Sequence, residues 1–173
     1  GDSLMRVLME AGEEFNVIPY GTEALGVMRI EKGHAAGPEL NGQTSAYDLG
    51  MGGMISGKKD FIGYTLGLRE ELQRDDRMQM VGFKPVNPND LLLAGSHLLG
   101  LRDKATTEND QGWISSCIYS PILGHYIGIG FIKSGHSRKG ENVRAVDLVR
   151  GNDVEVEICS PHFVDPEGER LRV

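Results

Sequence analysis

The sequence predicts an α+β fold, with helices first and a small antiparallel β-barrel or jelly roll from about residue 78. Three observations carry this expectation. Apolar residues recur at helical spacing through the first third of the chain, as in Leu4, Leu8, Ala11 and Phe15. From Met78 onward the period changes to two. Five or six short strand patterns, separated by turn residues, then fill the rest of the 173 residues.

Taken in order, Asp2 and Ser3 are candidate caps for a first helix, which Pro19 and Gly21 bring to an end. A second helix starts at Thr22, has Glu23 near the positive end of its dipole and stops at Gly33. Residues 34–57 are rich in glycine and show no period. A third helix is expected from Asp60, presenting Phe61, Thr65, Leu68 and Leu72. Val81 and Phe83 open the strand region, and Pro85 closes the first strand. Further strands are expected over Trp113–Ser120, Ile127–Phe131, Val143–Val149 and Val154–Cys159, with a hairpin turn at Arg150-Gly151-Asn152-Asp153. In Ile127-Gly128-Ile129-Gly130-Phe131 the glycines share one face, which signals a bend or the close approach of another backbone.

Composition removes several classes of function. Twenty-five acidic residues against 18 Lys plus Arg give a net charge of −7, so nucleic acid and anionic membrane are not expected partners. No apolar run is long enough to span a bilayer, and no basic segment precedes an apolar stretch at the N-terminus. A cytoplasmic location is therefore expected. Cys117 and Cys159 read as buried free thiols. Glycine, at 24 residues, is about twice as frequent as usual, whereas aromatic residues make up only 6 %.

Local motifs point to little chemistry. Gly52–Lys58 spells G-x-x-x-x-G-K, but Lys59 follows where a magnesium-binding hydroxyl is needed, and no apolar strand leads in. Gly128-Ile129-Gly130 is a strand with a thin face rather than part of a dinucleotide fingerprint. The five histidines (His34, His97, His125, His136 and His162) have no neighbours at metal-pair spacing, so no metal site is expected. Neither Glu13/Glu14 nor Glu155/Glu157 converges on a cleft, and no catalytic residue is expected in this chain.

Three stretches taken together are more specific. Pro19 to His34 contains Arg29-Ile30-Glu31, and Asp48 to Gly63 contains Lys59-Asp60-Phe61-Ile62-Gly63. Asn109 to Gly112, Tyr119 to Gly124 with Ser120-Pro121-Ile122-Leu123, and Phe163 to Gly168 complete the set. In this order the motifs resemble the C-terminal part of the α subunits of heterotetrameric sarcosine oxidases, within the wider aminomethyltransferase family of the glycine cleavage system.

The resemblance implies that residues 1–77 are the helical end of an aminomethyltransferase-like folate-binding lobe and 78–173 the family's C-terminal β-barrel domain. It implies tetrahydrofolate as the bound species, with FAD, FMN and NAD in the full complex but not on this chain. The implied partners are the β, γ and δ subunits and an upstream part of α that holds the key aspartate and the pterin-gripping motif. A chain that starts at Gly1 without Met is then expected to be a piece of a longer subunit. Folate-pocket positions carried over by the resemblance are Glu23, His34, Met51 and Gly53, with Leu25 where the family has a folate-contacting Arg. For Arg29 and Glu31, ion pairs that anchor the helix are expected. Tyr119 and Ser120 are expected to shape the barrel hairpin, Met51 has a core alternative and Gly53 a turn alternative. Two other readings remain open: a different folate-linked demethylase or dehydrogenase, and a non-catalytic barrel for subunit assembly.

Overall fold

The computed structural model describes residues 1–172. Four helices precede the sheet: α1 (Asp2–Gly12), α2 (Thr22–Lys32), α3 (Tyr64–Gly67) and α4 (Glu70–Gln73). Six strands follow: β1 (Met78–Pro85), β2 (His97–Leu99), β3 (Gly112–Ser120), β4 (His125–Lys133), β5 (Asn142–Asp147) and β6 (Asn152–Cys159). They close into a barrel in the order β1-β4-β3-β2-β5-β6, every neighbouring pair antiparallel. Closure leaves no sheet edge to protect, which suits a chain with few aromatic residues to cover one.

The barrel interior is filled by inward-facing residues of the strands, among them Val81, Phe83, Leu98, Ile114, Val143, Val156 and Ile158, each fully buried. In β6 the alternation is as expected, with Val154, Val156 and Ile158 inside and Glu155 and Glu157 outside that core. On β4 the two faces do different work. Ile127 and Ile129 point outward and pack with Ile30 of α2, with Phe163 and Ile118 alongside. Gly128 and Gly130 face inward. A Cβ on Gly128 would meet Leu92 Cδ2 at 2.9 Å, and one on Gly130 would sit 2.2 Å from the Trp113 carbonyl oxygen. The thin face therefore marks the close backbone approach that the sequence signals.

Several expectations need correction. Asp2 lies inside α1, whose N-cap is Gly1 with no side-chain capping bond, and it pairs instead with Arg6 at 2.9 Å. The single helix expected from Asp60 is two short helices. Gly63 is left-handed (φ 94°), and Arg69 is extended (ψ 126°), so helical geometry is broken on either side of α3. Asn152 and Asp153 belong to β6 rather than to the turn, and β5 ends at Asp147, before Val149. The short strand β2 was not expected at all. Cys117 and Cys159 are free but only partly buried. Burial nevertheless pushes both thiols up, Cys159 to about 12, so neither is a ready nucleophile.

Among the described residues, Ser96 Oγ is the one buried side-chain polar atom without a hydrogen-bond partner. An unpaired buried hydroxyl costs about 1–3 kcal/mol of desolvation. Ser96→Ala should therefore leave stability unchanged or raise it by about 1 kcal/mol. Thermal denaturation checks this, and a loss of that size would mean the hydroxyl is paired in solution.

Candidate functional site

The helical segment meets the barrel through α2 and the loop after it. Gly33 adopts φ 72° and ends the helix, with Gly33 N donating to Ile30 O at 3.1 Å and His34 N to Arg29 O at 2.8 Å. Only glycine suits this position. Besides the positive φ, a Cβ would lie 2.4 Å from the Pro161 carbonyl oxygen. The C-terminal stretch is strapped along the same helix end. Phe163 N and Val164 N both donate to Glu31 O at 2.9 Å, and Lys32 Nζ pairs with Asp165 Oδ2 at 3.2 Å.

Two buried carboxylates dock this segment onto one strand. Glu39 is fully buried. Its Oε2 accepts from Arg29 Nη1 at 3.1 Å and Ala36 N at 2.9 Å; its Oε1 lies 2.5 Å from Ser115 Oγ and 2.8 Å from Ser116 Oγ. Arg29 Nη2 donates to the same Ser116 Oγ at 2.7 Å. Two consecutive serines can reach one carboxylate because β3 carries a bulge between Ile114 and Ser116, which interrupts the alternation of side chains. Glu31, 4 % exposed, accepts from Ser120 Oγ at 2.5 Å. Arg29 thus makes the expected ion pair, whereas Glu31, among the described residues, makes none and is held by a hydroxyl. Ser120 does more than shape the hairpin, while Tyr119 is half-exposed and meets Tyr126 edge-on.

Further along the loop, Asp48 is gripped by Arg77 through Nε and Nη2, both at 2.8 Å, and by Ser45 N at 2.8 Å. Burial pushes its carboxyl up, but hydrogen bonds from Arg77 and Ser45 outweigh this and hold it below the usual value. Asp48 O accepts from Met80 N at 2.7 Å, so the loop is tied to β1 as well.

Glu23, His34, Met51 and Gly53 all lie at the surface of the helical segment. Glu23 is in the first turn of α2 and His34 one residue past its C-cap, so the same helix carries them at opposite ends. Met51 is 38 % exposed and is not a core residue. Gly53 has open space where a Cβ would stand and no positive φ, so no turn demands glycine there. Nor does the G-x-x-x-x-G-K stretch form a strand–loop–helix: a single 3-10 turn (Gly52–Met54) stands there, and the next helix begins at Tyr64.

Two clefts stand out among the described residues. One of about 260 Å³ lies between Gln43, Asp48, Arg77 and the Trp113–Phe131 pair; the other, of about 560 Å³, lies between residues 105–110 and 146–150. None of the four folate positions lines either one. Glu39, Ser115 and Ser116 were missed by sequence reasoning, since Glu39 sits in an aperiodic loop and a bulge leaves no local signal. Among the described residues no group of three or more His, Cys, Asp or Glu could hold a metal ion, and no helix is long and apolar enough to cross a membrane. What these contacts do is fix α2 and the loop after it against β3.

Comparison with known proteins gives a consistent picture. The family model described as glycine cleavage T-protein C-terminal barrel domain matches residues 79–165, and the GCVT N-terminal domain matches 1–59. The chain is 42 % identical to sarcosine oxidase subunit alpha of Rhizobium meliloti, over 100 % of this chain and 18 % of that one. It is 37 % identical to the same subunit of Corynebacterium sp. (strain P-1), over 92 % of this chain and 17 % of that one. An aminomethyltransferase of Chloroherpeton thalassium is 30 % identical over 79 % of this chain and 36 % of its own length. The crystal structure of the glycine cleavage system aminomethyltransferase T from Bartonella henselae superposes with a TM-score of 0.75 at 22 % identity, covering 95 % of this chain and 45 % of that one, which is a likeness of fold. The chain thus spans less than a fifth of the sarcosine oxidase subunits it matches.

Proposed function

This chain belongs to the glycine cleavage T-protein family, and we propose on that basis that it forms the C-terminal, folate-handling part of a sarcosine oxidase α subunit. The observation that carries the reading is the 42 % identity to such a subunit along the whole chain. In this reading residues 1–77 end the folate-binding domain and 78–173 form its barrel companion, in a cytoplasmic heterotetramer with β, γ and δ subunits. FAD, FMN and NAD would be held elsewhere in that complex, where a flavin would accept the hydride. Sarcosine loses a hydride equivalent from its N-methyl group; tetrahydrofolate captures the resulting one-carbon unit as methylene-tetrahydrofolate and glycine leaves. Oxygen is reduced to hydrogen peroxide, and without folate water takes the carbon away as formaldehyde.

The residues of this chain contribute a wall. Glu23 and His34, at the two ends of α2, and the backbone around Met51 and Gly53 offer polar groups to the folate, while the Glu39 and Glu31 contacts hold α2 at a set height over β3. That these positions are open to solvent fits a pocket whose other walls come from upstream residues. The helical segment supports the same view: Leu4 and Leu8 on the apolar stripe of α1 are 63 % and 56 % exposed, Phe15 in the 3-10 turn after it is 72 % exposed, and an amphipathic helix with its apolar face in water lacks a packing partner among the described residues.

The test uses the full-length subunit assembled with its partners and given sarcosine and oxygen. Tetrahydrofolate should replace formaldehyde by methylene-tetrahydrofolate without changing the peroxide formed per sarcosine. Glu23→Ala and His34→Ala should each raise the KM for tetrahydrofolate about fivefold, which corresponds to roughly 1 kcal/mol. A formaldehyde yield indifferent to folate would favour the second reading, an assembly barrel with a degenerate pocket. Leu25, half-exposed where the family has a folate-contacting Arg, is the observation on that side.

A further inference from the structure

Strands β2 and β5 pair with His97 opposite Val146, so His97, Val146 and, two residues on, Leu99 project from one face. That face is the outer one, since Leu98 and Ala145 belong to the barrel core. Leu99 and Val146 are nevertheless only 2 % and 5 % exposed, with residues 105–110 and the β5–β6 turn rising over them. The result is a cleft of about 560 Å³ with an apolar floor, walled in part by Ala105, Leu148 and Val149.

The polar groups of the cleft are few, and most are engaged. Asp147 accepts from Val149 N at 3.0 Å, Arg150 N at 2.9 Å and Arg150 Nε at 2.5 Å. Arg150 Nη2 donates onward to Ala94 O at 2.5 Å. Asp110 accepts from Gly112 N at 3.1 Å through Oδ1 and meets His97 Nδ1 at 2.8 Å through Oδ2. An ionised carboxylate only accepts, so Nδ1 carries the proton and, in the neutral imidazole, Nε2 is left as an acceptor. Among the described residues Nε2 has no hydrogen-bond partner. Two carboxylates against one guanidinium disfavour an anion in the cleft. Both carboxylates already face donors of the chain, so a cation finds no open seat either.

Size decides between a side chain and a free molecule. An apolar cavity of about 150 Å³ suffices for benzene. The cleft is several times larger, so one inserted amino-acid side chain would leave most of it unfilled. A molecule of two or three rings fills it, and the volume lies within the range of about 300–1,000 Å³ usual for small-molecule sites.

We propose that this cleft binds an uncharged, largely apolar small molecule of two or three rings, whose hydroxyl or N–H group donates to His97 Nε2 while its body covers Leu99, Val146 and the cleft side of the β5–β6 turn. None of the four folate positions lines the cleft, so its occupancy is independent of the sarcosine oxidase reading.

The probes are 2-naphthol, which carries a donor, and 2-methoxynaphthalene, which does not, each titrated calorimetrically into the full-length protein. One equivalent of 2-naphthol per chain should bind with a Kd below about 1 mM and protect residues 105–107 and 147–150 from amide hydrogen exchange. Ala105→Trp fills the cleft from an exposed position and should weaken both probes about tenfold or more. His97→Phe, at a side chain 62 % exposed, should weaken 2-naphthol about tenfold and spare 2-methoxynaphthalene. Exposure of both positions means the variants should unfold at the wild-type temperature, and the exchange protection is read on wild type alone. No saturable binding of 2-naphthol, or protection confined to other segments, would overturn the proposal. Binding that ignores Ala105→Trp would place the site elsewhere and overturn it too, and an equal loss of both probes in His97→Phe would overturn the donor contact. Protection of the cleft by another polypeptide in the assembled protein, with 2-naphthol shut out, would overturn it in favour of a subunit interface.

Discussion

Glu39→Ala should destabilise the protein by about 3–5 kcal/mol, the range expected when one partner is removed from a buried ion pair. The carboxylate is fully buried and meets Arg29, Ala36 N and the hydroxyls of Ser115 and Ser116. Truncation leaves the Arg29 guanidinium, only partly exposed, without its counter-charge and the loop without its attachment to β3. For a chain of this size the loss corresponds to a fall in Tm of about 10 °C. Glu39→Gln keeps the shape and one acceptor and should lose less. Thermal unfolding followed by circular dichroism reads both, and a Tm within a degree or two of wild type for Glu39→Ala would show that water replaces the carboxylate at no cost. If the proposed folate-handling role holds, the same change in the full-length subunit should also raise the KM for tetrahydrofolate, since the loop carrying His34 loses its anchor.

Gly130→Ala should cost about 3 kcal/mol, at the upper end of ordinary overpacking. The new Cβ would stand 2.2 Å from the Trp113 carbonyl oxygen and 2.8 Å from Ile114 Cα. Both are backbone atoms of the paired strand, so relief requires opening the β3–β4 ladder beside the bulge that aims Ser115 and Ser116. Gly26→Ala is the matching control. Gly26 lies within α2 with nothing within 4 Å of its Cβ position, and alanine there should stabilise by about 1 kcal/mol. Denaturant titration of the two variants separates them by sign. Equal effects would mean that strand spacing is not what Gly130 secures.

Much of the fold was legible because its signals are local. Helix α2 was read to within a residue, since Gly33 both ends the apolar period and supplies the left-handed cap. Five of the six strands followed from two-residue alternation and turn residues. The misses share a cause. Strand β2 has three residues, too few for a period, and exists because β3 and β5 bond to it from either side. The run from Asp60 has helical spacing, but Gly63 and Arg69 take conformations that break it. The folate positions Glu23, His34, Met51 and Gly53 came from resemblance, and in this chain they remain separate surface points.

What the sequence by itself determined is the order of elements, the family and the inward and outward faces of most strands, because period, turn chemistry and motif order are properties of neighbouring residues. Tertiary structure alone decided which charges are buried. Glu39 and Ser115 stand 76 positions apart, and Glu31 and Ser120 stand 89 apart. Only barrel closure and a bulge in β3 bring them within hydrogen-bond reach, since desolvation and pairing depend on distance in space.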